Sequence, residues 1–196
     1  MTKTTRAFAA FALVAASSAA IHPPARATTL KRMSVADLSR AAHTVVRARC
    51  VTNSTRWDAG EIWTFTTFDV EELWKGSAPA QITVRLLGGS AGNFTSTVSG
   101  VPRFAPGEEL ILFLERTPAQ DFSIVSWMQG TFRIAHSRTT GEEIVTQDTA
   151  AFPVFDPASH NFETTAIRRM PVSAFRTLVA ASAEAQAAQA AQGSHQ

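Results

Sequence analysis

Residues 65–114 decide the fold, because three strand-like runs follow one another there with turn residues between them. The runs are FTTFDVEELWKG (65–76), QITVRLLGG (81–89) and VPRFAPGEELILFL (101–114). Apolar and polar residues alternate in the first two runs, as they do in half-buried strands. The third run ends in LILFL, which is apolar on both faces and indicates a central strand. Together the runs predict a mainly β fold without βαβ alternation.

The first of these runs belongs to an unusually long strand, from about residue 62 to 74. Its alternation places four side chains on one face: Thr64, Thr66, Phe68 and Val70. The alternation shifts at Glu71 and Glu72, which predicts a β-bulge or a bend. A single strand bent in this way can serve both sides of a small barrel. We therefore predict an antiparallel Greek-key barrel of the OB-fold type, with a β-sandwich as the alternative.

A short helix precedes the strands and a second helix follows them. Ser34 and Asp37 have the spacing of a capping box at the start of the first helix. Pro171 marks the start of the second helix, which has apolar residues at helical spacing: Phe175, Leu178 and Val179. The Ala and Gln repeats of residues 183–196 have no apolar face and predict a frayed or disordered tail. The length in between suggests one domain, residues 28–182.

The first 27 residues have the features of a signal peptide. A positively charged start is followed by an apolar run over residues 7–20, which is shorter than the ~20 residues of a membrane span. Ala25 and Ala27 form an A-x-A cleavage site, so the mature chain is expected to begin at Thr28. We predict an exported protein, periplasmic or extracellular, with no stable membrane span after cleavage.

Removal of this segment changes the charge of the chain. Lys3, Arg6 and Arg26 leave with it, so 15 of the 18 basic side chains remain against 16 acidic ones, and the net charge falls from +2 to −1. A nearly neutral chain gives no indication of nucleic acid as a partner. The lone Cys50 cannot form an intramolecular disulfide, and we expect it to be a small buried residue.

Four segments in this order resemble a known group of proteins: LSRAAHTVVRARCV, TTFDVEELWKG, ITVRLLGG and FAPGEELILFL. They are similar to exported bacterial proteins of unassigned function with an OB-fold, and more distantly to the netrin-like modules of the tissue inhibitors of metalloproteinases. The resemblance covers residues 38–115 and implies the barrel. It does not imply protease inhibition, because those inhibitors use an N-terminal cysteine held by disulfides, whereas this chain has Thr28 and only Cys50.

One motif raises the alternative of a secreted serine hydrolase. Residues 88–92 read GGSAG, which matches the nucleophile elbow G-x-S-x-G around Ser90. Asp148 or Asp156, followed by His160, has the chain order of such triads. The elbow requires a helix after the serine, but residues 93–98 are polar and β-branched and have no helical face. We predict a flexible loop here and no catalytic residue.

Other chemistry-bearing residues give no local signature. His43, His136 and His160 lie too far apart in sequence to predict a metal site, and neither a metal nor a cofactor is expected. The acidic pairs at residues 71–72, 108–109 and 142–143 lie beside turns, where solvation is the ordinary explanation.

Aromatic residues and one arginine provide the candidate binding surface. Trp57 lies beside a predicted turn, Trp63 is out of phase with the apolar face of its strand, and Phe94 and Arg103 belong to the loop of residues 88–103. Barrels of this type bind ligands on strand faces and flanking loops, where aromatic rings stack on sugars or bases. We therefore predict a non-catalytic binding module of the cell envelope or extracellular space, with a protein or a glycan as its ligand.

Overall fold

The computed structural model describes residues 30–151, 153–164 and 166–193. The predicted signal peptide and Thr28 lie outside these residues. The described part contains two α-helices, α1 (Val35–Ala41) and α2 (Val172–Gly193). Its strands are β1 (Thr44–Asp58), β2 (Glu61–Lys75), β3 (Gln81–Leu87), β4 (Gly89–Ala91), β5 (Phe94–Ser96), β6 (Glu109–Arg116), β7 (Phe122–Ile124), β8 (Thr131–His136), β9 (Glu143–Gln147), β10 (Val154–Asp156), β11 (Asn161–Glu163) and β12 (Met170–Pro171).

Five of these strands close on themselves. The hydrogen-bonded order is β1-β2-β3-β7-β6, and β6 pairs again with residues 44–49 of β1. All pairings in the ring are antiparallel except the one between β3 and β7, which is parallel and consists of Val84 opposite Phe122. A closed ring with this strand order is the five-stranded Greek-key barrel of the OB-fold type, which confirms the predicted fold over the sandwich.

Strand β6 is apolar on both faces because it separates two cores. Leu110, Leu112 and Leu114 point into the barrel. Ile111 and Phe113 point to the outside, where they pack with both helices, β8 and β9 in a second core that contains Phe132 and Phe175. The five side chains of residues 110–114 are fully buried, as predicted from the LILFL run.

Both predicted helices are present. Ser34 accepts a hydrogen bond from the backbone N–H of Asp37, and the Asp37 carboxylate accepts one from the backbone N–H of Ser34, so the capping box is complete. Phe175 and Val179 are buried against the second core, whereas Leu178 lies on the exposed side of α2. The helix extends to Gly193, where the sequence predicts a frayed or disordered tail. The high helix propensity of alanine accounts for this difference.

The long hairpin of β1 and β2 has the predicted bend. Arg47 lies opposite Glu72 and Ala48 lies opposite Val70, so Glu71 has no cross-strand partner and forms a bulge. Strand β1 is 15 residues long and ends at Asp58, next to the turn that connects it to β2.

Residues 88–103, predicted as a flexible loop, instead contain the hairpin of β4 and β5. Gly92 is the first of two central turn residues and has φ +61°, as the type II′ hairpin turn requires. Residues 105–108 also form a turn, since Glu108 N–H donates to Ala105 O and Gly107, the third residue of the turn, has φ +89°, as a type II turn requires.

Candidate binding site at the polar end of the barrel

Another irregularity in the pairing of β1 with β2, which the sequence did not predict, changes the side chains that β1 presents to the barrel interior. The pairing of β1 with β2 skips Val51, between Cys50 and Thr52. Because Val51 is skipped, the alternation of inward and outward side chains reverses after Cys50. The side chains of Asn53 and Thr55 therefore face the barrel interior, as that of Cys50 does. Val51 itself is turned outward and is 40% exposed.

The interior of the barrel therefore changes from apolar to polar along the same two strands. Asn53 lies opposite Thr66 and Thr55 lies opposite Thr64. The Thr66 hydroxyl donates to Asn53 Oδ1 at 2.6 Å, and the Thr55 and Thr64 hydroxyls lie 3.3 Å apart. The Asn53 amide nitrogen donates to the carbonyl oxygen of Phe104 at 2.9 Å. These four residues, hereafter the polar layer, lie above an apolar floor that includes Phe104.

The β4-β5 hairpin passes close over the polar layer, and its glycines make this possible. A Cβ atom on Gly89 would lie 2.5 Å from both Thr55 Cγ2 and Thr64 Oγ1, and one on Gly88 would lie 2.6 Å from the carbonyl oxygen of Ser96. A side chain at Gly89 would push the hairpin away from the polar layer, and one at Gly88 would clash with the backbone of β5. The Thr64 hydroxyl donates to the carbonyl oxygen of Gly88 at 2.7 Å and ties the hairpin to β2.

A cavity of about 460 Å³ remains between the hairpin and the polar layer. This volume lies within the range of about 300–1,000 Å³ that is usual for small-molecule sites. Hydroxyl, amide and apolar groups share its lining with one cation. The lining residues are Asn53, Thr55, Thr64, Thr66, Leu86, Gly89, Ser90, Thr95, Ser96, Thr97, Arg103 and Phe104.

Arg103 supplies the positive charge of the cavity. Its Nη1 donates to the Thr64 hydroxyl at 3.2 Å and its Nη2 to the carbonyl oxygen of Ser96 at 3.4 Å. Both acceptors are neutral, and no ion pair connects this guanidinium to a carboxylate among the described residues. Arg133, by contrast, forms ion pairs with Glu108 and Asp148 at 2.8 and 2.9 Å.

An exposed aromatic pair lies on the other side of the hairpin. The rings of Trp57 and Phe94 meet edge to face, with centroids 5.7 Å apart, and the two residues are 52% and 64% exposed. They line a second cavity of about 320 Å³, which also includes Thr95 and Ser96. Because those two residues line both cavities, β5 is the wall between the aromatic pair and the polar layer.

Trp63, the fourth predicted binding residue, lies apart from the other three. It is adjacent to Thr64 in β2 and therefore faces the outside of the barrel. There the guanidinium of Arg85 lies 4.0 Å from the centroid of its indole ring. The structure thus brings Trp57, Phe94 and Arg103 to one end of the barrel and leaves Trp63 on the outer face.

Ser90 of the GGSAG motif lies in β4, in a hairpin rather than before a helix. Its hydroxyl lies 2.9 Å from the Thr95 hydroxyl. The two candidate acids are engaged elsewhere, since Asp148 binds Arg133 and Asp156 binds Arg32 at 2.5 Å. The strand-turn-helix geometry of a nucleophile elbow is therefore not formed around this serine.

Cys50 lies below the polar layer and is buried, as the sequence predicts. Burial, with a smaller contribution from Glu108, raises the pKa of its thiol. A thiol with a raised pKa is a poor nucleophile at neutral pH.

The acidic pairs are not simply solvated, because several of them converge on Arg47 on the outer face of the barrel. Arg47 Nη2 lies 2.9 Å from Glu109 and 2.6 Å from Glu143, and Arg47 Nε lies 3.3 Å from Glu71. Together with Arg49, these residues form the outer ion cluster. Burial raises the pKa of Glu109, but the hydrogen bonds from Arg47 and Arg49 outweigh it and hold that pKa below its usual value.

Three residues of this region have metal-binding atoms close together. Atoms of Glu109, His136 and Glu143 lie within 4.8 Å of one another. Arg47 already donates to both carboxylates and supplies the positive charge that a metal ion would bring. The hydrogen bond from Arg47 lowers the pKa of Glu143. We interpret these residues as a structural ion-pair network, since exposed acidic groups of this kind are common without a metal.

Sequence patterns missed the polar layer for an identifiable reason. The alternation in β2 places Thr64 and Thr66 on the same face as Phe68, which is buried in the barrel. Simple alternation from Cys50 puts Asn53 and Thr55 on the face opposite to Cys50, whereas the structure pairs them with Thr66 and Thr64 on the interior face. The polar run that follows Cys50 was the available signal, since a change of interior polarity along a barrel strand is unusual.

Comparisons with known proteins do not assign this site. No protein-family model matches the chain, and no curated protein matches it. Within the described residues, no helix combines the length and the apolar character that are needed to cross a membrane.

Proposed function

We propose that this protein is an exported, non-catalytic binding module of the cell envelope or extracellular space, and that its ligand is a glycan. The observation that carries the proposal is the combination of the exposed Trp57–Phe94 pair with the hydroxyl-lined cavity next to it. Aromatic rings stack on the apolar faces of sugars, and side-chain hydroxyls and amides hydrogen-bond to sugar hydroxyls. The loops and strand faces of OB-fold barrels are used to bind oligosaccharides.

The same features favour a glycan over a protein. The aromatic pair is small and lies beside a concave, polar surface, whereas the centre of a protein interface is flatter, larger and depleted of polar groups. The expected net charge of −1 after export does not favour nucleic acid. Export itself is part of the proposal and rests on residues 1–27. The kinship with exported bacterial proteins and netrin-like modules likewise remains a proposal based on sequence resemblance.

Two matched alanine variants test the proposal. Phe94 and Phe162 are 64% and 60% exposed, and each meets one other aromatic ring edge to face, at 5.7 and 5.6 Å. Phe162 belongs to β11, away from the cavity. The mature protein is incubated with polysaccharide fractions from the envelope and the culture medium, and retention is measured for the wild type and both variants.

We expect Phe94→Ala to weaken glycan retention about tenfold or more, as loss of an aromatic contact residue does, and Phe162→Ala to leave it unchanged. Both variants should keep the free energy of unfolding within about 0.5 kcal/mol of the wild type, because exposed positions tolerate substitution. Equal losses in the two variants, or retention of a protein partner instead of a polysaccharide, would contradict glycan binding at this end of the barrel.

A further inference from the structure

We propose that the cavity above the polar layer selects an acidic sugar, a uronic acid residue whose carboxylate binds Arg103. This inference rests on the proposed function and adds to it the chemical class of the sugar. The exposed aromatic pair on the other side of β5 then contacts a neighbouring sugar of the same glycan. The inference is carried by the charge, the hydrogen-bonding groups and the floor of this cavity.

The charge of the cavity favours a single anion. Arg103 is the one charged residue among the described residues that line it. A guanidinium has five N–H donors, and Arg103 directs two hydrogen bonds to neutral oxygens, of Thr64 and Ser96. The remaining donors are free to form the two-point contact with a carboxylate that arginine prefers.

The polar layer supplies partners for sugar hydroxyls. Each threonine hydroxyl can donate one hydrogen bond and accept two, so that of Thr66, which donates to Asn53 Oδ1, keeps acceptor capacity for a ligand hydroxyl. Ser90 and Thr97 add hydroxyls at the rim of the cavity. A ligand with several hydroxyl groups would satisfy this set, whereas a simple anion would leave most of it in contact with water.

The floor of the cavity matches the less polar face of a sugar ring. Leu86 and Phe104 line it from below and belong to the barrel core. The ring of Phe104 is held edge to face against Phe68, with centroids 5.2 Å apart. The C–H face of a sugar ring would lie on this floor, with its hydroxyls toward the polar layer and its carboxylate toward Arg103, which donates to Thr64 of that layer.

A phosphorylated ligand fits this cavity less well. A phosphate monoester carries a charge of about −1.5 to −2 at pH 7, and its recognition usually combines several cations or backbone N–H groups. One guanidinium without a second cation matches the single negative charge of a carboxylate. The site therefore points to a uronic acid rather than to a sugar phosphate.

Three small probes separate the parts of the inference: D-glucuronate, D-glucose and acetate. Each is titrated into isotope-labelled mature protein, and affinity is measured from the amide shifts of residues 88–97. We expect glucuronate to bind on the order of tenfold more tightly than either glucose or acetate, because it alone provides both the carboxylate and the hydroxyls. Binding of acetate as tight as that of glucuronate would contradict a sugar site.

Arginine variants complete the test. Arg103→Gln should reduce the preference for glucuronate over glucose to about one, while Arg103→Lys keeps part of it. Arg116→Gln, which removes one exposed positive charge next to Phe122, is the matched control and should leave the preference unchanged. The melting temperature of each variant shows whether it is folded.

The outcomes distinguish the inference from the proposed function. If Phe94→Ala abolishes glycan retention but Arg103→Gln keeps the preference for glucuronate, the acidic-sugar inference is wrong and glycan binding stands. If neither sugar shifts any amide resonance and no polysaccharide is retained, both are wrong.

Discussion

The two halves of the barrel are built from the same strands but differ in what their interiors contain. In the closed half, β1 contributes Val46, Ala48 and Cys50, all of them buried. In the open half, beyond the bulge at Val51, the same strand contributes Asn53 and Thr55 to the polar layer. An apolar interior stabilises the fold, whereas a polar interior beside a cavity contributes little to stability and provides groups for a ligand. One inserted residue in β1 thus separates the stabilising half from the candidate binding half.

The largest expected effect is the loss of stability when a buried side chain of the closed half is truncated. Phe68 is fully buried, so Phe68→Ala should lower the free energy of unfolding by about 3–5 kcal/mol. Thr66→Val, two residues away in the open half, removes one hydrogen bond to Asn53 and should cost about 1 kcal/mol. Urea denaturation measures both. Similar costs for the two variants would show that the two halves do not differ as described.

The outer ion cluster, on the outside of the closed half, predicts an acid-sensitive contribution to stability. The pKa values of Glu109 and Glu143 are lowered in the folded state, so their contribution is present at neutral pH, above about 4.5, and is lost as the pH falls through the lowered values. Arg47→Met should lower stability by about 2 kcal/mol at pH 7.

The same variant should flatten the pH dependence. Thermal melts from pH 7 to pH 3 are expected to converge for the wild type and Arg47→Met as the glutamates become protonated. Parallel curves over that range would show that Arg47 does not set the pKa values of Glu109 and Glu143.

Two glycine variants of the β4-β5 hairpin should have a smaller effect on stability. They distinguish a glycine that is needed because Thr55 and Thr64 are close from one that is needed only for its backbone conformation. Gly89 and Gly92 both have positive φ, but only Gly89 has atoms close to the position of a Cβ. Gly92→Ala should cost about 1 kcal/mol, from the strained backbone alone. Gly89→Ala should cost about 1 kcal/mol more and also weaken ligand binding, because the hairpin must move away from Thr55 and Thr64. Equal effects on stability and binding would contradict the close approach.

Much of the fold could be predicted from local patterns. The LILFL run, the capping box at Ser34 and the phase shift at Glu71 each depend on neighbours in sequence, and all three predictions are confirmed. Beyond residue 183 the lack of an apolar face predicts fraying, whereas the helix continues to Gly193, because alanine has a high helix propensity.

The candidate site was harder to predict because it depends on cross-strand register. The bulge at Val51 cannot be recognised from the alternation of apolar and polar residues in β1, because residues 52–55 are polar on both faces. Convergence of Glu109 and Glu143 on Arg47 requires four strands, β1, β6, β8 and β9, to pair side by side, and β1 is distant in sequence from the other three. Trp57 and Phe94 are exposed, but their contact arises only because residues 89–96 form a hairpin.

The most direct test of the account is the footprint of a bound glycan on the barrel. Amide hydrogen exchange is measured for the mature protein alone and saturated with the polysaccharide fraction that it retains. If the glycan binds at the open end, exchange is slower in residues 53–57 and 88–97 and unchanged in residues 110–114 of the closed half. Protection confined to the outer face around residues 133–143, with none at the open end, would contradict this account.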